Sequence, residues 1–322
     1  MIKPTIRQLE YAVAVADTGQ FGLAAKRLNV SQPSLSTQIA ELEFALDRRI
    51  FNRGRKGASP TAGGHEIIRR ARLVLREMED MVALSRNEGL FGGRLRLGVL
   101  PSIGPYLLPE VVRKLHAENP ELRLVLKEES TLRLEDDLRS GRLDMIISTP
   151  DDHLGTHQIP LFTERLWAAF ASDDPLARSK SPLSLEDLAG RTLLTLDRSH
   201  RLSRIVHRMA QDSGATVLDD YQGTSMDAIR LMAASGSGIA ILPHIYAATE
   251  ARRGSDVALR PFKKGTALRH LALIQPGGGG GEAGGGGEAG GGSEAGGGGE
   301  PRYGTDLLAN ALKLEAEKLM RA

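Results

Sequence analysis

The chain of 322 residues has no cysteine. That excludes disulfides, thiol catalysis and thiol redox sensing. No run of 18 apolar residues occurs, so no membrane span and no membrane partner are expected. The opening stretch MIKPTIRQLEYAV lacks an apolar core ahead of a small-residue cleavage site, which predicts a cytoplasmic protein. The signatures of catalysis are missing too. There is no HExxH and no GxSxG, and Gly236-Ser237-Gly238 lacks the third glycine and acidic follower of a dinucleotide fingerprint. His153 and His157 are four apart, but Gly155 and the flanking prolines oppose a regular helix there, so no metal site is expected. His65, His116 and His207 stand alone and read as structural, and Trp167 reads as a packing residue of a strand. No enzyme, no cofactor and no metal is the expectation.

Charge of one sign is also scarce: the net charge is +2. It is unevenly placed. Residues 1–60 carry nine Lys or Arg against five Asp or Glu, and the remainder 33 against 35. A basic head on a near-neutral body suits a DNA-binding head.

Residues 21–46, FGLAAKRLNVSQPSLSTQIAELEFAL, read as two helices joined by a tight turn at Asn29. Ser31 is an N-cap for the second helix and Pro33 sits just inside its start. Leu35, Ile39, Leu42 and Leu46 give that helix an apolar face. Gln32, Ser34, Ser36, Thr37 and Gln38 cluster at its N-terminus as short uncharged donors and acceptors. A helix-turn-helix sets such residues against base edges in the major groove of double-stranded DNA; the alternative is an ordinary amphipathic helix. A preceding helix over 5–17 buries Ile6, Leu9, Val13 and Ala16, and the middle helix buries Phe21, Ala24, Ala25 and Leu28.

Residues 48–61, RRIFNRGRKGASPT, read as a basic wing, with a short strand from Ile50 and Phe51 and with Arg53, Arg55 and Lys56 at its tip; the alternative is a solvated charged turn. Residues 62–87 then form one long helix. Ile67, Ala71, Val74, Met78 and Met81 alternate steps of four and three, a coiled-coil seam. A second copy of the chain is the simplest partner for it, and packing on its own body is the alternative. Residues 88–93 read as a hinge.

From Arg94 strands and helices alternate in two rounds, so the body is α/β with two lobes and a cleft between them. Strands are expected at 95–100, 122–128, 143–148, 166–171, 193–196, around Tyr221, and at 239–242 and 268–274. Helices are expected at 106–118, 132–139, 201–212, 225–234 and 305–320. Residues 277–300 are 16 glycines in 24, too polar and pliant to pack; a natural repeat expansion and a designed insertion both fit, and no binding role is assigned.

Taken together, residues 21–43, Phe51-Asn52-Arg53, Thr61-Ala62-Gly63-Gly64 and the stretch 234–243 (ASGSGIAILP) resemble the LysR-type transcriptional regulators over nearly the whole chain. The resemblance implies an α/β protein with an N-terminal winged helix-turn-helix at 1–61 and a dimerisation helix and hinge at 62–93. It further implies a two-lobed, periplasmic-binding-protein-like effector domain. Lobe I would be 94–163 completed by 269–322, and lobe II 164–268. Within the family, Gly104-Pro105-Tyr106-Leu107-Leu108-Pro109, the stretch 138–144 (LRSGRLD), Gly223-Thr224-Ser225 and Leu196-Asp197-Arg198-Ser199-His200 are similar to the peroxide-sensing OxyR subfamily. Arg201 stands where that subfamily has its peroxidatic cysteine and Ala210 where its partner cysteine belongs. A guanidinium cannot form a sulfenic acid, so that redox mechanism is not available.

The same resemblance implies an effector pocket at Ser102, Ile103, Thr131, His200, Arg201, Thr224 and Ser225. Hydroxyls, helix amides and an Arg fork suit a small anion, for instance a carboxylate. Arg201 is assigned either to that anion or to an internal ion pair with Asp197 or Asp219. Gln32, Pro33, Ser36 and Thr37 are assigned to bases, and Arg53, Ser59 and Thr61 to the DNA backbone. The expected function is a sequence-specific transcriptional regulator, a homodimer or homotetramer, with RNA polymerase as a further partner. The competing expectations are a peroxide-stress regulator without a thiol switch and a constitutive regulator without a ligand.

Overall fold

The structure, a computed structural model, describes residues 3–54, 57–85, 90–179, 181–218, 221–277 and 304–321. Arg55 and Lys56 of the wing, Asp219, residues 86–89 and residues 278–300 of the glycine-rich stretch lie outside the described residues. The chain divides into two compact units. One holds residues 1–94 and 136–143, the other 95–135 and 144–322.

In the first unit, α1 spans Ile6–Thr18. Thr5 and Gln8 close a capping box: the Thr5 hydroxyl accepts from the Gln8 amide at 3.2 Å, and Gln8 Oε1 accepts from the Thr5 amide at 3.0 Å. Gly19, at φ 66°, ends the helix. Its fully buried residues are Gln8, Tyr11, Ala12, Ala14 and Val15. The expected stripe of Leu9, Val13 and Ala16 lies half-buried at the flank instead. Two causes account for the shift. α1 meets three other helices, which widens and turns its inner face, and Gln8 is made burial-tolerant by a cap that hydropathy does not register.

α2 (Phe21–Arg27) and α3 (Gln32–Ala45) follow, with Asn29 at φ 53° in the turn. Ser31 caps α3 by accepting from the Ser34 amide at 3.3 Å. Leu35, Ile39 and Leu42 are fully buried, but Leu46 lies past the helix end and is 36% exposed. β1 (Phe51–Gly54) and β2 (Gly57–Pro60) form an antiparallel wing. Glu43 of α3 fastens the wing's base, since its Oε1 accepts from the amides of Ile50 (2.7 Å) and Phe51 (3.0 Å).

α4 spans Ala62–Ser85. Gly64 lets its first turn pass so close to β1 that a Cβ would stand 2.0 Å from the Ile50 carbonyl oxygen. The expected seam divides. Ala71 is buried, as is the neighbouring Ile68, while Val74 and Met81 are 42% and 61% exposed. The first half of the helix therefore packs on its own head, and only the second half offers an uncovered apolar stripe. The expected hinge is, from Leu90 to Gly93, a 3-10 turn with Phe91 buried rather than a free linker.

The second unit is a mixed sheet. In chain order its elements are β3 (Arg94–Val99), α5 (Gly104–Glu118), β4 (Arg123–Glu128), α6 (Thr131–Arg139, whose end from Asp136 belongs to the first unit), β5 (Met145–Ser148), β6 (His157–Phe170) and β7 (Thr192–Leu194). Then come α7 (Arg201–Ser213), β8 (Thr216–Val217), α8 (Met226–Ala234), β9 (Ile239–Pro243), β10 (Ala258–Pro261), β11 (Leu268–Gln275) and a closing helix, Thr305–Arg321. The strand order is β4-β3-β5-β11-β6-β9-β7-β8, with β10 on β6. β3 and β5 are parallel, as are β7 with β8 and with β9, whereas β11 and β6 run antiparallel to each other and to their neighbours.

The 14-residue β6 ties the two rounds together. It pairs with β11 over its first part and with β9 and β10 over its last. Only 166–171 of it was legible as a strand, because polar residues and Pro160 interrupt the earlier part. Tyr221 is in a loop, not a strand; the short β8 precedes it. Residues 244–254, which had no expected element, are helical with a π turn at Ala247–Ala251. Leu166, Phe170, Val206, Ile229, Ile241 and Phe262 build the core of the second round. The closing helix packs on α5, with Lys114 Nζ 3.5 Å from Glu315.

Candidate functional site

The start of α3 presents Gln32, Pro33, Ser34 and Thr37 exposed, with Ser36 and Gln38 half-buried. Gln38 is engaged by Glu41, to which its amide donates at 2.8 Å. The helix N-terminus adds free amides and a partial positive charge, both suited to a phosphate. On the wing, the Arg53 guanidinium carbon lies 4.5 Å above the Phe21 ring, which holds an exposed cation in a fixed direction. Ser59 is exposed. Thr61 differs from its expected role. Its hydroxyl donates to the Arg49 carbonyl at 2.8 Å and accepts from the Gly64 amide at 2.9 Å, so it caps α4. Among the assigned DNA contacts it alone has its hydroxyl hydrogen bonds used internally on both the donor and the acceptor side.

In the second unit, four of the seven assigned effector residues come together. Ser102, Thr131, His200 and Arg201 line one cavity with Leu100, Pro101, Leu196, Leu202 and Arg269. Its volume is about 10 Å³, room for a single water-sized molecule. Ile103 is fully buried at the start of α5 and belongs to the core. Thr224 and Ser225 are exposed and do not line this cavity; the Ser225 hydroxyl caps α8 by accepting from the Ala228 amide at 3.2 Å.

Arg201 is held at both ends. Its amide donates to the Thr131 hydroxyl at 3.1 Å, and its guanidinium to Asp152 at 2.8 Å and Asp151 at 2.9 Å. An internal ion pair thus exists, with partners other than the expected ones. Asp197 instead accepts from the Ser199 amide at 2.8 Å. Neither aspartate at 151–152 was legible as a partner, because the contact joins the 3-10 turn after β5 to the start of α7, about 50 residues apart.

Sequence reasoning also missed the ion pair at the floor. Arg269 donates from Nε to Glu164 Oε1 at 2.8 Å and from Nη1 to the Ser102 hydroxyl at 2.9 Å. Glu164 Oε2 accepts from the Ile245 amide at 3.1 Å. An Arg and a Glu in two strands carry no sign that they face each other; only the register places them so. His200 stands beside this pair with Nε2 buried and without a hydrogen-bond partner. Burial pushes its pKa below the usual imidazole value; Asp197 opposes the shift and Arg269 adds to it. The ring is therefore neutral near pH 7.

A second cavity of about 440 Å³ lies on the other side of Arg201. Arg201, Arg204 and Arg208, on one face of α7, line it together with Arg269 and His270, the carboxylates Asp151 and Asp212, and an apolar wall that includes Leu185, Ile205 and Met209. Arg204 meets Asp152 at 2.8 Å, whereas Arg208 makes no ion pair among the described residues. Its size is that of a small-ligand site.

Two family models match the chain. Residues 6–65 match the model of the bacterial regulatory helix-turn-helix protein, lysR family, and residues 88–279 that of the LysR substrate binding domain. The DNA-binding transcriptional dual regulator OxyR of Escherichia coli (strain K12) is 35% identical over 275 residues, covering 84% of this chain and 90% of that protein. The HTH-type transcriptional regulator EstR of Acinetobacter baylyi is 31% identical over 275 residues, 84% of this chain and 90% of that one. Among solved structures, a full-length OxyR variant from Pseudomonas aeruginosa superposes with a TM-score of 0.70 at 30% identity, over 86% of this chain and 90% of its own. No helix among the described residues is long and apolar enough to cross a membrane. With a lysR-type head, a matching substrate-binding body and relatives of this identity and coverage, the chain belongs to the LysR family and is a DNA-binding transcriptional regulator.

Proposed function

We propose that this regulator is switched by a small organic anion bound in the 440 Å³ cavity beside α7. The observation that carries the reading is the arginine face of that helix, Arg201, Arg204 and Arg208, beside an apolar wall in the same cavity. Guanidinium forks recognise carboxylates, and the wall favours an anion with an apolar part. Arg201 and Arg204 are largely neutralised by Asp151 and Asp152, so Arg208 is the cation left for the ligand. Gln32, Pro33, Ser36 and Thr37 read bases, and Arg53 and Ser59 hold the DNA backbone. The division into a head at 1–61, a linker at 62–93 and two lobes is part of the same reading. The protein works in the cytoplasm as a homodimer or homotetramer joined through α4, and acts on RNA polymerase at the promoter.

A thermal-shift screen tests this. Wild type and Arg208→Ala are heated with benzoate, a dicarboxylate, inorganic phosphate and hydrogen peroxide. A carboxylate that raises the wild-type Tm but not that of the variant supports the reading. No shift with any organic anion overturns it.

One observation favours a second reading. The 10 Å³ cavity, with the Ser102 and Thr131 hydroxyls and a neutral His200, holds one water-sized molecule, and a small widening would admit hydrogen peroxide. Stabilisation by hydrogen peroxide alone, without oxidation, supports a peroxide-responsive regulator that uses no thiol. A response to nothing in the screen supports a constitutive one.

A further inference from the structure

The stretch LRSGRLD at 138–144 has no part in the DNA face or in either cavity. Within the first unit its turn lies against α4. Arg72, only 8% exposed, donates from Nη1 to the Ser140 carbonyl oxygen at 2.7 Å and from Nη2 to the Asp17 carboxylate on α1. Asp17 also meets Arg27 of α2 at 3.7 Å. Gly141 sits at φ 70°, and a Cβ there would stand 3.1 Å from Arg76 Nη2 and 3.4 Å from Arg72 Cβ. Both the backbone conformation and the approach to α4 therefore call for glycine at this turn.

A buried guanidinium is costly unless its donors are used. Here they are spent on two different elements, the turn after α6 and the first helix of the head. α6 is a single helix of nine residues, about 13.5 Å long. Its first residue, Thr131, is buried and takes the Arg201 amide at 3.1 Å. Its last turn leads into Ser140. Thr131 and the Ser140 carbonyl thus stand at the two ends of one continuous helix and its closing turn. α1, at the far side of Arg72, packs on α3.

We propose that Arg72 is the positioning residue that passes a displacement of α6 to α1, and so to the recognition helix α3. The effector reading enters only through Arg201, which lines the proposed cavity and whose amide is held by Thr131. The Arg72 guanidinium suits the task because it bridges two acceptors with fixed geometry. Nothing else in the proposal depends on which ligand is bound.

The test is a double-mutant cycle on DNA affinity, using the duplex that the wild-type chain selects from a random-sequence pool. Thr131→Val disturbs the α6 start without any ligand. It is expected to change Kd about tenfold in the wild-type background and less than about threefold with Arg72→Met, a coupling of ordinary allosteric size. Asp17→Asn, which removes only the head-side contact, should blunt the response in the same way and carries the test if Arg72→Met does not fold. Amide exchange along Ile6–Thr18 should respond to Thr131→Val only when Arg72 is present. Equal fold-changes in both backgrounds overturn the proposal, because a merely structural Arg72 leaves the two effects independent. No change on Thr131→Val in either background overturns it too. The effector reading fails separately, in the thermal-shift screen.

Discussion

Glu164 and Arg269 face each other across β6 and β11, at 0% and 3% exposure, midway along the strand that serves both rounds of the fold. Removing one partner leaves the other charge buried. Arg269→Met should therefore destabilise the protein by about 3–5 kcal/mol, while adding Glu164→Leu should recover most of that loss. Urea unfolding of the single and double variants measures both. A double variant no more stable than the single one would show that the pair is not the source of the effect.

Gln32 is exposed on the first turn of α3. Gln32→Ala should weaken binding to the selected duplex by about 1–3 kcal/mol and relax preference at one base pair. Competition with duplexes altered one position at a time reads this out, and an unchanged preference profile would remove Gln32 from the base contacts.

Arg53 is aimed by its stacking on Phe21. As a backbone contact it should matter equally for all sequences. Arg53→Ala should lower affinity uniformly and reduce the slope of log K against log salt by about 1. A sequence-dependent loss would instead make it a base-reading residue.

Burial lowers the pKa values of His200 and His244 from the ordinary 6.5. The unfolded chain then binds protons that the folded chain refuses. Stability should be fully present above about pH 6.5 and fall as the pH drops through that value towards the lower folded-state pKa values. His200→Leu should remove one of the two contributions and flatten the fall. Unfolding midpoints between pH 5 and 8 give the answer; an unaltered slope would mean that His200 takes up its proton equally in the folded and unfolded chain.

Val74 and Met81 lie exposed on the second half of α4. If a second copy covers them, Met81→Asp should shift the sedimentation profile towards monomer at micromolar concentration without changing the melting of the head. An unchanged mass would place the oligomer interface elsewhere.

Much of the fold was legible because it is local. Ser31 and Ser225 cap the helices they were expected to begin, and the apolar spacing of Leu35, Ile39 and Leu42 placed α3 correctly. These features depend on hydrogen bonds and contacts within about four residues, which sequence spacing states directly. The site was legible only in part. Ser102, Thr131, His200 and Arg201 line one cavity, whereas the capping use of the Thr61 hydroxyl and the choice of Asp151 and Asp152 as partners of Arg201 were not foreseen. A hydroxyl or a guanidinium has several uses, and its residue type does not state which neighbour takes it.

By itself, then, the amino-acid sequence determined the absence of any thiol chemistry, the order of head, long helix and α/β body, and the cap and buried face of α3. Only the tertiary structure decided that β6 runs unbroken through both rounds and that Arg269 meets Glu164, 105 residues away. It alone decided that Arg72 reaches Ser140, 68 residues on, and that the cavity at Thr131 has one water's volume. Those facts depend on strand register and on how whole elements stack. They are settled by the summed packing of the chain, and no short segment contains them.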